Sequence, residues 1–118
     1  MVENIKNEFV AKLGRSRYER VECADGFSMS VQAHGGAYCE PREDDGRLYS
    51  QVEIGYPNEA EPLLKEYAEQ WTRRNDKGKE ECYATKTVYG YVPARLVMDV
   101  IVQHGGIVGG ELPPLKFT

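Results

Sequence analysis

Apolar residues recur along this chain in two periods, and the switches between them mark the expected elements. From Asn4 to Leu13, the residues Ile5, Phe9, Val10 and Leu13 share one helical face. Gly14 follows where a left-handed C-terminal cap is wanted, so residues 1–14 read as an N-terminal helix. The period then drops to two. Residues 18–23 and 27–33 flank Asp25-Gly26, a dipeptide that tolerates positive φ and so closes a β-hairpin. Alternation puts Phe27, Met29, Val31 and Ala33 on one face and Ser28, Ser30 and Gln32 on the other.

Residues 34–47 have no period and are dense in Gly, Pro and acids, which reads as a long loop. Leu48 to Tyr56 alternates again as a third strand, ended by Pro57. Asn58 and Glu61 then match a capping pair, with Leu63, Leu64, Tyr67, Ala68 and Trp71 as an apolar helical stripe behind them. The polar stretch 72–82 reads as a second loop, and Thr85 to Val92 as a fourth strand. Pro93 suits a first helical turn and disfavours helix in the residue before it. The helix that follows has Leu96, Val97, Val100 and Ile101 as its inner face. Gly105-Gly106 closes it in a Schellman-type turn, and residues 108–118 form an extended tail. The sum is a single α+β domain over residues 1–118, in the order α-β-β-β-α-β-α. It has a four-stranded, mainly antiparallel sheet with helices on one face.

Composition narrows the partners more than the fold. The chain has 118 residues, 41% of them hydrophobic and 29% charged, as ordinary globular domains do. A net charge of −4 disfavours direct nucleic-acid binding, which needs a concentrated basic face. The acids concentrate centrally: residues 40–61 hold seven acidic groups against Arg42 and Arg47. No apolar run is long enough to span a membrane, and the first residues lack the apolar core of a secretion signal. Three cysteines, Cys23, Cys39 and Cys82, match no disulfide framework and suit a reducing cytoplasmic setting.

Chemistry is sparse. Cys39 with His34 in the first loop is the nearest approach to a nucleophile and base, but no hydrolase pattern flanks it. Cys23, His34, Cys39 and Cys82 lack the paired knuckle of a zinc site. The double glycines match no phosphate loop, and Glu43-Asp44-Asp45 lacks calcium-loop spacing. No cofactor or metal is expected. Eight tyrosines against three phenylalanines leave a Tyr-rich sheet face as the candidate binding surface, since one end of a tyrosine is apolar and the other wet. The residues singled out for protein binding are Glu43, Asp44, Asp45, Tyr49, Tyr89 and Tyr91, with Tyr89 and Tyr91 expected on one face.

The segments YERVECADGFSMSVQA (18–33), QVEIGYPNEAEPLL (51–64) and TVYGYVPARLVMDVIVQHGGI (87–107) resemble small accessory proteins of tailed phages and prophages. The resemblance implies one of two roles in the host cytoplasm: a virion-associated part, or an inhibitor that binds a host defence complex as anti-CRISPR proteins do. It carries no catalytic motif. The expectation is therefore a non-enzymatic module that masks a host protein complex. The alternatives are a self-assembling structural protein and a small cysteine-dependent enzyme at Cys39.

Overall fold

The Asp25-Gly26 turn forms as the hairpin signal requires, with Gly26 at φ 95°. The loop is three residues long, Ala24 to Gly26, and not two: Cys23 N–H donates to Phe27 O, Gly26 N–H donates to Cys23 O, and the Asp25 carboxylate accepts from Phe27 N–H. The strands it joins are Val21–Cys23 (β1) and Ser28–Gln32 (β2), paired antiparallel with Val21 opposite Met29. The chain is seen here as a computed structural model that describes residues 18–44 and 47–117. The expected helix 1–14 and Asp45 lie outside the described residues.

Phe27, Met29, Val31 and Ala33 are buried, as their alternation requires. Strand Gln51–Gly55 (β3) pairs with β2 and buries Val52 and Ile54. Strand Val88–Pro93 (β6) pairs with β3 on its far side. Pro93 leads directly into the helix Ala94–Gln103 (α1), which buries Ala94, Val97, Val100 and Ile101, with Leu96 half-buried. The helix ends in the expected Schellman pattern: Gly106 N–H reaches Ile101 O and Gly105 N–H reaches Val102 O.

The architecture is otherwise not the one expected. The described residues form a mostly β fold of seven strands in two antiparallel sheets, of five and two strands, with one short α-helix. It is not a four-stranded sheet with helices on one face. Three segments account for the difference.

Residues 58–71 do not make an α-helix. Only Pro62–Tyr67 winds, as a 3₁₀ segment, and Ala68 is already extended at ψ 133°. Asn58 is spent on the hairpin, accepting from Ser28 N–H and donating to Gly26 O, so it caps nothing. Downstream, Glu69 N–H donates to Val88 O and Ala68 bridges Tyr89. The edge of β6 thus offers this backbone the partners that helix would have given it.

Residues 72–82 are not a loop. Thr72–Arg74 (β4) and Glu80–Cys82 (β5) form a hairpin with Arg73 opposite Glu81 and Arg74 opposite Glu80. Arg73 donates to the Tyr83 hydroxyl and Arg74 to Gly78 O, and both strands are exposed throughout, so no hydrophobic alternation announces them.

The tail is not free-standing. Ile107–Gly109 (β7) pairs with β1, giving the order β6-β3-β2-β1-β7. Gly110 follows at φ 89°, where a Cβ would sit 2.0 Å from Arg20 O; only glycine permits that approach. Further on, Tyr49 exchanges backbone hydrogen bonds with Pro114 and Lys116.

Candidate functional site

The β3–β6 pairing slips by one residue. Val52 faces Val92 and Ile54 faces Tyr89, so Glu53 alone opposes both Gly90 and Tyr91. This is a β-bulge, which re-aims side chains on the strand that carries the extra residue. Tyr89 and Val92 consequently both point inward and are fully buried, while Tyr91 turns outward and is 43% exposed. Tyr91 takes up the extra residue by adopting φ 54°, a left-handed conformation that tyrosine rarely holds.

A loop residue closes the surface around it. Tyr91 N–H donates to Tyr38 O (2.9 Å), and Tyr38 N–H donates to a Glu53 carboxylate oxygen (3.3 Å). The Tyr38 and Tyr91 rings lie 5.9 Å apart, tilted by 36°. Gly90 lets them approach, because a Cβ there would lie 3.1 Å from Tyr38 Cβ. Tyr38, Tyr67, Glu69, Val88, Gly90 and Tyr91 line an open cleft of about 350 Å³. That volume falls within the range of small-ligand and side-chain pockets. Arg42 stacks its guanidinium over the Tyr38 ring, 5.5 Å from the centroid.

The other residues singled out from the sequence do not join this cleft. Tyr89 is core: burial pushes its phenol up to about 12, and its hydroxyl donates to Ala84 O. Tyr49 is core as well, with its hydroxyl donating to Glu43 O (2.5 Å). Asp44 accepts from Gly35 N–H (2.6 Å), and the Glu43 carboxylate lies 3.4 Å from Arg47. These acids tie down the loop 34–44. Of the five that are described, Tyr91 alone lines the cleft. Tyr38, Tyr67 and Glu69 were missed, because they sit in a loop and at the end of a supposed helix and meet β6 only through the tertiary fold.

A second cluster went unnoticed in the sequence. His104, at the end of α1, places Nδ1 2.6 Å from Asp25 Oδ2 and Nε2 2.6 Å from Glu61 Oε1, and stacks on Phe27 at 4.0 Å. Glu61 is 2% exposed and also accepts from Leu63 N–H and the Gln103 amide. Burial pulls the His104 pKa down, but hydrogen bonds and charge from Asp25 and Glu61 outweigh it and hold the pKa above its ordinary value. The Asp25 carboxyl is held below its ordinary value by the Phe27 N–H and then by His104. Both ring nitrogens are engaged, so the imidazole has no nitrogen left to exchange a proton with a substrate. It joins the hairpin turn, the 3₁₀ segment and α1.

The Cys39 thiol donates to the carbonyls of His34 and Pro41. Burial raises its pKa. The His34 Nδ1 accepts from Gly36 N–H. All three cysteines are free thiols, with Cys82 exposed. Among the described residues, no group of three or more His, Cys, Asp or Glu side chains is placed to hold a metal ion, and no helix is long and apolar enough to cross a membrane. No protein-family model matches the chain, and the searches of curated proteins and of solved structures return no match to it.

Proposed function

We propose that this protein is a non-enzymatic binding module that masks a surface on a partner protein, with the tyrosine cleft at its centre. The observation that carries the reading is Tyr91. A tyrosine held in a left-handed conformation on a bulged strand costs stability, and such strain persists where the surroundings over-determine it, often at sites of recognition. Its ring and that of Tyr38, 45% exposed, gain little from burial within this chain. Rigid aromatics of this kind are the usual anchors of protein interfaces. That the partner is a host complex rests on the resemblance to phage accessory proteins alone.

The test is capture of partners from a host lysate by the wild-type chain and by Tyr38→Ala/Tyr91→Ala. The reading expects specific partners to be lost with the double variant. Retention of every one of them rules out the cleft as the binding surface.

A second reading, self-association, draws on a different place. β7 is an edge strand that itself presents Ile107 and Val108 (69% exposed), and Val102 (71% exposed) stands out from the last turn of α1. Open edges of this kind pair with other strands unless blunted. Sedimentation across a wide concentration range decides it: a dimer dispersed by Val108→Lys favours this reading, and a monomer throughout removes it.

A further inference from the structure

We propose that the cleft takes the guanidinium of an arginine side chain presented by the partner protein. This rests on the binding reading above and names the chemistry of its anchor.

The cleft is built for a planar cation. Tyr38, Tyr67 and Tyr91 surround it, and tyrosine faces carry negative quadrupole charge that attracts a cation within about 6 Å. Among the described residues no hydrogen bond meets the hydroxyls of these three tyrosines, and no cation pairs with the Glu69 carboxylate. Glu69 is exposed, and its N–H bond to Val88 O fixes its backbone at the cleft wall. An anion entering the cleft would meet that carboxylate. An apolar side chain would strip water from it without replacement, at a cost. A cation satisfies it.

Arginine fits better than lysine. The guanidinium is flat, weakly hydrated and forked, so it stacks on one ring while pairing with a carboxylate; an ammonium is compact and strongly hydrated. Cations already lie over rings on this chain's surface, lysines (Lys65 over Trp71 and Lys86 over Tyr83, each at 5.9 Å) as well as arginines. Arg42 lies over Tyr38 at 5.5 Å, and Arg73 over Tyr83 at 5.3 Å. The net charge of −4 favours approach of a basic segment.

The experiment is an amide NMR titration of the full chain with the blocked tripeptide acetyl-Gly-Arg-Gly-amide. Its lysine counterpart and its citrulline counterpart, which is isosteric and uncharged, run in parallel. The arginine peptide should give saturable shifts at Glu69, Gly90 and Tyr91 with a Kd of order mM, as expected of a single anchor. Citrulline should bind about tenfold more weakly, and Glu69→Gln and Tyr91→Ala should each weaken arginine binding by about threefold to fivefold. Gly90→Ala, which drives a Cβ against Tyr38, should weaken it while leaving both rings present.

Equal binding of arginine and citrulline, shifts centred elsewhere, or indifference to Glu69→Gln overturns the proposal. If the peptide fails but Tyr38→Ala/Tyr91→Ala still abolishes capture of a purified partner, the cation proposal alone falls. If that variant binds the partner normally, the binding reading falls with it.

Discussion

The Asp25–His104–Glu61 cluster and the tyrosine cleft are built from the same parts, aromatic rings beside carboxylates, and differ in what is left over. In the first, the imidazole stacks on Phe27 and both nitrogens meet carboxylates, while Glu61 accepts from three donors. In the second, two half-exposed rings lie beside each other at a cleft, and Glu69 pairs with no described cation. Saturated polar groups fix one arrangement and have nothing to offer a partner. Groups held rigid but unsaturated leave their free energy to be realised on binding. The first cluster therefore holds elements together, and the second is where recognition belongs.

The sharpest way to break this contrast is at Glu61. Glu61→Leu strands the His104 Nε2 and the Leu63 N–H, and removal of one partner from a buried pair costs about 3 kcal/mol. Urea unfolding should show that loss, with the denaturant slope unchanged. The double variant Glu61→Leu/His104→Leu should recover part of it, because no unpaired buried Nε2–H remains. A single variant as stable as wild type would show that the cluster does not tie the 3₁₀ segment to α1.

Protonation probes the same cluster more gently. An imidazole between two carboxylates needs both N–H groups, so the ring belongs in its protonated form. The described ionisable groups that meet it are Asp25 and Glu61; Phe27 and Gln103 beside it are neutral. His104 titrates above its ordinary 6.5, so its contribution is complete below that value and is lost as pH rises through the raised pKa. Asp25 titrates below its ordinary 3.8, so its contribution is present above 3.8 and is lost as pH falls through the lowered pKa. The cluster stabilises most between those two ordinary values. Urea midpoints should fall on the alkaline side, and His104→Gln should flatten that limb. An alkaline limb of equal slope in the variant would assign it to other groups.

Legibility in the sequence followed the range of the forces. The hairpin at Asp25-Gly26, the alternation of Phe27 to Ala33, the break at Pro93 and the glycine stop after His104 depend on neighbours a few residues away, and each was readable. The β4–β5 hairpin was not, because backbone pairing and the Asn75 turn hold it without any apolar face. The 58–71 segment misled because its apolar spacing is helical, while Asn58 was claimed by a turn far upstream and Ala68–Glu69 by the edge of β6. His104 lies 79 residues from Asp25 and 43 from Glu61, separations at which no spacing rule operates. The bulge defeated the simplest inference of all. One extra residue reverses every later side chain on a strand, so Tyr89 and Tyr91, two apart, ended on opposite sides.

That reversal yields the smallest and most discriminating stability effect. Left-handed backbone costs a non-glycine residue about 1 kcal/mol, and glycine pays none of it. Tyr91→Ala keeps the strain and loses the ring, whereas Tyr91→Gly loses both. Tyr91→Gly should therefore unfold at higher urea than Tyr91→Ala, by about 1 kcal/mol less the greater chain entropy of glycine when unfolded. Both should fail equally to bind a partner through the cleft, since both lack the ring. A chain that keeps a strained tyrosine where glycine is more stable keeps it for the ring it presents. If the alanine variant is instead the more stable of the two, Tyr91 is not strained in solution, and the conformation ceases to be an argument for recognition.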